Sequence, residues 1–237
     1  MDNAGYTTLT RQAGLMREMR VIANNIANAA TSGYRQEGLI FSEYVKSVDG
    51  AESLSMGQGN VYNTSYAQGP LTQTGGGFDF AIEGDGFFLV ETPAGQRLTR
   101  NGSFSPSAAG ELVTFDGFRV LDAGGAPVFV PQGVSDVAVS ADGTMSSDGV
   151  PIGQIGLVRP LDPGGMVRED GVMFRADGGQ EPAVGARVMQ GFIENSNVDP
   201  VLQIARMIEV QRAYEAGSSF LETEDERIRQ SIKTLTE

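Results

Sequence analysis

Leu15-Met16-Arg17-Glu18-Met19-Arg20-Val21-Ile22-Ala23-Asn24-Asn25-Ile26-Ala27-Asn28-Ala29-Ala30 decides the fold, because two apolar rows run through it at helical spacing. Leu9, Met16, Ala23 and Ala30 fall seven apart, while Leu15, Met19, Ile22 and Ile26 alternate by four and three. The two rows together make a wide apolar arc. At the other end of the chain Met207, Tyr214, Leu221, Ile228 and Leu235 are also seven apart, beside a separate row of Val201, Ile204 and Ile208. Each helix therefore carries more apolar surface than one partner would cover.

Between the ends the period changes. Phe78 to Ile82, Gly84-Asp85-Gly86 and Phe87 to Val90 read as strand, turn and strand. Similar units follow at Glu111 to Thr114, Phe118 to Leu121, Val128 to Val130, Val134 to Val139 and Ile152 to Val158. Asp116-Gly117, Gly124-Gly125, Asp142-Gly143 and Asp148-Gly149 punctuate them. Gly110-Glu111-Leu112 before Asp116-Gly117 echoes Gly143-Thr144-Met145 before Asp148-Gly149 as a weak internal repeat. The expected fold class is mixed α and β: a discontinuous, coiled-coil-like helical domain from both termini (1–34 and 198–237), a connector (35–75), and a central all-β domain of many short strands (76–197).

Local signals set the helix ends. The first helix is expected to start between Asn3 and Thr8 and to run to about Ala30, where Thr31-Ser32-Gly33 supplies a stop. Asp199 suits an N-cap and Pro200 the first helical position. Gly217-Ser218-Ser219 is a soft point inside the second helix, and Asp225 and Arg229 are spaced for an ion pair.

Composition narrows the chemistry. With 17 Lys plus Arg against 30 Asp plus Glu, the net charge of -13 repels phosphate backbones and anionic membrane surfaces, so no nucleic-acid partner is expected. There is no Cys and no His, which removes thiolate chemistry and the commonest general base and metal ligand. No stretch approaches the ~20 apolar residues of a membrane span, and Arg11, Arg17, Glu18 and Arg20 interrupt any secretory-signal core. No membrane insertion is expected, and any export would use a route that reads no cleaved signal.

Candidate sites are few. Gly75-Gly76-Gly77 and Gly84-Asp85-Gly86 do not complete a phosphate-binding loop. Glu83 with Asp85, or Asp142 with Asp148, could form a carboxylate pair for glycoside hydrolysis, which depends on their separation in space. The Asp-Gly turns could offer oxygens to Ca²⁺, yet they miss the spacing of the known calcium loops. No catalytic, cofactor or metal residue is assigned. Asn24, Asn25 and Asn28 read either as a polar helix face or as amides that recognise a neighbour, and Gln211, Arg212, Tyr214 and Glu215 either as a solvated face or as part of a subunit contact.

Energetics give the apolar rows their meaning. Ordering a helical residue costs roughly 1 to 2 kcal/mol, its net hydrogen bond returns about 0.5 to 1.5 kcal/mol, and each buried Leu, Ile or Met adds about 1.5 to 3 kcal/mol. If the two terminal helices pair, one row on each is covered and the other faces water. Either both rows pack inside one compact domain, or the second rows meet another chain and the ends order fully on assembly.

Val21 to Arg35, read as Val-Ile-Ala-Asn-Asn-Ile-Ala-Asn-Ala-Ala-Thr-Ser-Gly-Tyr-Arg, resembles the N-terminal signature of the bacterial flagellar rod and hook family. Two further segments resemble the same family: Ile82-Glu83-Gly84-Asp85-Gly86-Phe87-Phe88 leading to Thr99-Arg100-Asn101-Gly102-Ser103-Phe104, and Ser196-Asn197-Val198-Asp199-Pro200 leading to Gln211-Arg212-Ala213-Tyr214-Glu215. Tyr34-Arg35 stands where the family often has Phe-Lys, which keeps aromatic and cationic character. The opening Met1-Asp2-Asn3-Ala4, the short length and the modest connector are most like the proximal rod members; distal rod members usually have a longer insertion after the first helix, and hook members an extra outer domain.

The resemblance implies a non-enzymatic rod subunit that transmits torque, with an inner helical domain lining an axial tube and the β domain outside it. It implies export of the unfolded chain by the flagellar type III apparatus without signal cleavage, and assembly in the periplasm with copies of itself and other rod subunits. Leu15, Met16, Met19, Ile22, Asn24, Asn25, Ile26, Asn28, Val201, Ile204, Met207, Ile208, Gln211, Arg212, Tyr214, Leu221 and Ile228 are the expected subunit-interface residues. A distal rod subunit, a periplasmic hydrolase acting on peptidoglycan and a Ca²⁺-dependent adhesive β protein are the alternatives.

Overall fold

The computed structural model describes residues 2–46, 54–131, 133, 137–169 and 171–236. Two helices and a central multi-strand region make the chain mixed α and β. It divides into two compact units, one of Met1–Ala29, Gln36–Tyr66 and Val198–Glu237, the other of Ala30–Arg35 and Ala67–Asn197.

The first unit holds α1 (Asp2–Ala27), β1 (Glu37–Lys46), β2 (Leu54–Thr64) and a second helix, α2 (Pro200–Thr236). α1 ends before Ala30 because the Asn28 side-chain amide donates to the Asn24 carbonyl at 2.9 Å, a local bond that competes with helix continuation. The chain then turns, and Gly33 takes φ +73 as its place in the stop signal requires.

β1 and β2, expected within a connector, pair antiparallel with Glu37 opposite Thr64 and Lys46 opposite Leu54. Both strands lie along α1. A register shift at Ile40/Phe41 breaks the alternation, and Gly57 and Gly59 dilute it, so the period-two signal was lost in the sequence.

α2 begins as expected, with the Asp199 carboxylate accepting from Val201 N at 2.9 Å and Leu202 N at 3.1 Å. It continues unbroken through Gly217-Ser218-Ser219, the anticipated soft point. A helical glycine costs about 1 kcal/mol, but here it makes room: a Cβ at Gly217 would lie 2.8 Å from Gln12 Nε2. Asp225 and Arg229 pair at 2.8 Å on its exposed surface.

The helices run antiparallel. Gln12 Nε2 donates to the Tyr214 carbonyl at 3.1 Å, Glu18 pairs with Arg206 at 2.7 Å, and Asn25 Nδ2 donates to Gln203 Oε1 at 3.2 Å. Leu15, Ile22 and Val210 form the buried centre of the seam, with Met19, Ile26, Met207, Ala213 and Tyr214 packed around it.

In the second unit β3 (Leu71–Gln73), β4 (Phe80–Glu83), β5 (Phe87–Thr92), β6 (Gly95–Thr99), β7 (Phe104–Pro106), β8 (Leu112–Thr114) and β9 (Arg119–Leu121) come first. They are followed by β10 (Ala138–Val139), β11 (Thr144–Ser147), β12 (Val150–Gln154), β13 (Leu157–Pro160), β14 (Met166–Glu169), β15 (Met173–Ala176), β16 (Gln180–Pro182), β17 (Arg187–Gln190) and β18 (Phe192–Glu194). The largest sheet runs β14-β15-β6-β5-β9-β8-β7, with β13 bridging β5 and β16; β17-β4, β18-β3 and β10-β11-β12 make smaller sheets. The run Phe87 to Val90 is buried on both faces, as its unbroken apolarity predicts. Phe80, Phe88 and Phe104 anchor the core, the last two rings edge-on at 5.3 Å.

Two expected strands differ. Val128 to Val130 joins its neighbours through the bridges of Phe129 to Glu111 and of Pro127 to Leu121, while Ile152 to Val158 breaks into β12 and β13. The break occurs because Ile155 N turns to the Gly143 carbonyl and Gly156 N to that of Leu121. Of the stretch Val134 to Val139, residues 134–136 lie outside the described residues and Ala138–Val139 is β10.

Candidate functional site

Pairing of α1 with α2 covers one row on each helix and leaves the other in water. Leu9 and Met16 are exposed on α1, as are Val201 (74 %), Ile204 and Ile208 on α2. Asn24, Gln211 and Arg212 lie on the same open surfaces, Asn28 is half-buried, and Leu221 is partly covered. Ile228, Ile232 and Leu235 are exposed on the last turns of α2.

Six of the expected contact residues turn inward instead: Leu15, Met19, Ile22, Ile26, Met207 and Tyr214 make the intramolecular seam. Asn25 is buried as well. It is 1 % exposed, and its amide bonds both backbone groups of Glu37, donating to the carbonyl at 2.7 Å and accepting from the N–H at 2.9 Å. An asparagine here fastens β1, and with it the β1–β2 pair, to α1 as a strand neighbour would.

Sequence reasoning missed Val210 and Gln203. The seam on α2 is Gln203, Met207, Val210, Tyr214, whose spacing of four, three and four was hidden because its first member is polar. It also missed the Glu18–Arg206 pair, whose members are 188 residues apart.

α2 outruns its partner. Gln12 stands level with Gly217; ten residues precede it in α1 and 19 follow Gly217 in α2. At 1.5 Å per residue, about 13 Å of α2 has no α1 beside it. Beyond Leu221 its described side chains are exposed except Glu224.

The second unit contains a buried charge cluster that no pattern announced. Arg35 Nη1 lies 2.9 Å from Glu194 Oε1 and Arg100 Nη1 lies 3.0 Å from Oε2, with Arg35 and Glu194 each 1 % exposed. Gly69 N–H donates to Oε1 at 2.9 Å, and Arg100 also donates to the carbonyls of Ile82 (3.1 Å) and Gly84 (2.6 Å). Arg35 Nη1 also donates to the Ala67 carbonyl. Loss of solvation pushes Arg35 down to about 10 and lowers Arg100, outweighing the attraction of Glu194 in each. Beside them Arg168 stacks on the rings of Tyr34 (4.6 Å) and Phe174 (4.7 Å). Residues from three distant segments thus meet at one carboxylate, and the only sequence signal was that Arg35 and Arg100 each sit in a motif.

Of the acidic candidates, Asp142 and Asp148 sit in turns, Asp85 at a bend and Glu83 at the end of β4. Asp142 accepts from Ser140 Oγ, Thr144 N and Thr144 Oγ1, bonds that hold its carboxyl below the usual range. Glu83 and Asp85 are exposed. Among the described residues no group of three or more Asp or Glu could hold a metal ion, and no helix is long and apolar enough to cross a membrane.

Three parts of the chain match families of known proteins: residues 6–35 match "Flagella basal body rod protein", residues 81–147 "Flagellar hook protein FlgE/F/G D1 domain", and residues 189–234 "Flagellar basal body rod FlgEFG protein C-terminal". Whole-chain relatives agree. The flagellar basal-body rod protein FlgF of Caulobacter vibrioides is 38 % identical over 99 % of this chain and 98 % of its own, and that of Mesorhizobium japonicum is 38 % identical with the same coverage. The rod protein FlgG of Bacillus subtilis is 28 % identical over 96 % of this chain and 97 % of its own.

Proposed function

The chain belongs to the flagellar basal-body rod protein family and is a FlgF-like structural subunit of the rod; from that premise we propose that it assembles helically through the uncovered rows of α1 and α2, in the proximal rod. Its partners in this reading are copies of itself and other rod subunits, and its work is the transmission of torque. The chain reaches the periplasmic rod through the type III export apparatus without signal cleavage, and it catalyses nothing. Similarity to FlgF-named relatives at 34–38 % identity favours the proximal over the distal assignment.

One observation carries the assembly reading: each helix buries one apolar row in its partner and leaves a second one open. Contacts from such rows on different faces join unlike surfaces, which builds an open helical array. Replacing Ile204 and Ile208 together with Asp tests it. Both are exposed, so the monomer should keep its stability within about 1 kcal/mol, while entry into rods and motility should be lost. Normal rod assembly by I204D/I208D would refute the reading.

A further inference from the structure

Phe115 is 97 % exposed, the most exposed large apolar residue of the second unit. The loop does not require it. Thr114 to Phe118 closes a three-residue hairpin loop, with Gly117 N bonded to the Thr114 carbonyl and Thr114 N to that of Phe118. Ser107–Glu111, Asp122–Ala126 and Ser140–Thr144 close in the same way, each with glycine at the fourth position. In those three loops the residue equivalent to Phe115 is alanine: Ala108, Ala123 and Ala141. The scaffold thus accepts a methyl group at the tip and here presents a phenyl ring to water.

The opposite end of β8 holds a hollow. A cleft of about 260 Å³ lies between the Pro106-Ser107-Ala108 side of the first loop, Gly110, and Val130-Pro131. A cavity of ~150 Å³ accepts benzene, so this cleft has room for one phenyl ring. Ring and cleft cannot meet in one chain, because five residues of extended backbone, roughly 16 Å, separate Gly110 from Phe115. Charge also permits a contact between copies. Among the described residues none that lines the cleft is ionisable, so Asp116 beside the ring meets no like charge from them, in a chain with net charge -13.

We propose that Phe115 of one copy seats in the Pro106–Pro131 cleft of a second copy, joining the β units head to tail. The inference rests on the rod-subunit reading. One ring buries about 150–250 Å², well short of the ~1,200 Å² of a stable interface, so the contact forms within the assembled rod and not as a free dimer. A knob and a hollow at opposite ends of one strand make a heterologous contact, which propagates.

The chain has no cysteine, so introduced pairs report alone. Full-length F115C/A108C, expressed in flagellated cells lacking their own copy and oxidised in isolated rods, should give a ladder of disulfide-linked oligomers, while A108C and F115C singly give none. Rods that assemble from the double variant without a ladder overturn the proposal and leave the rod reading intact; dimers from F115C alone overturn it too, since they place two tips together. Competition against the unmodified chain covers failure of the cysteine variants to assemble. F115A should keep its unfolding midpoint yet enter rods at least about tenfold less well, with F115L partly restored; equal entry of F115A overturns the proposal. A chain that enters no rods even unmodified sinks the rod reading itself.

Discussion

The two compact units differ in how completely each is buried. Among the described residues, the β unit packs fifteen buried apolar side chains into one core, whereas the helical unit's seam centres on three, Leu15, Ile22 and Val210. One is finished by its own residues. The other keeps a row open on each helix and has about 13 Å of α2 with no α1 beside it. These last turns continue a 37-residue helix and so cost no new nucleation, but they bury little of their apolar surface within the chain. The β unit draws its stability from that core; in the assembly reading proposed above, the helical unit gains further from whatever covers its open rows.

The strongest way to sharpen this comparison is to break the β unit from within. Glu194→Gln keeps the shape but leaves the Arg35 and Arg100 guanidiniums buried without a counter-charge. Removing one partner of a buried ion pair costs about 3–5 kcal/mol, a loss that urea titration followed by near-ultraviolet spectroscopy should register. A loss below ~1 kcal/mol would mean that the cluster does not hold the unit together.

A smaller effect is expected in the helical unit. Asn25→Ala strands the buried Gln203 amide and both Glu37 backbone groups, for which about 1–3 kcal/mol is usual. Protease susceptibility of β1 and β2 should rise while the β unit stays resistant. If the β1–β2 pair keeps its protection, Asn25 is not its fastening.

Much of this organisation was legible in the chain. The row Leu15, Met19, Ile22, Ile26 is buried or partly buried as its spacing implies, and the Asp199 cap and the Phe87–Val90 strand stand where local chemistry puts them. What escaped has a common cause. Gln203 sits in an otherwise apolar seam, Asn25 acts as a strand partner from within a helix, and Glu194 meets arginines 159 and 94 residues away. Each owes its role to a partner distant in sequence, which periodicity along one segment cannot reveal. The Asn24, Asn25 and Asn28 cluster was noticed, but its amides divide between a helix end, an internal fastening and an open face.

Hydrogen exchange compared between the free subunit and isolated rods tests the central claim most directly. The account predicts that amides of 2–27 and 200–236 exchange quickly in the free chain, fastest beyond Leu221, and become protected in rods, while those of the large β sheet are equally protected in both. Helices already as protected in the free chain as in the rod would contradict it.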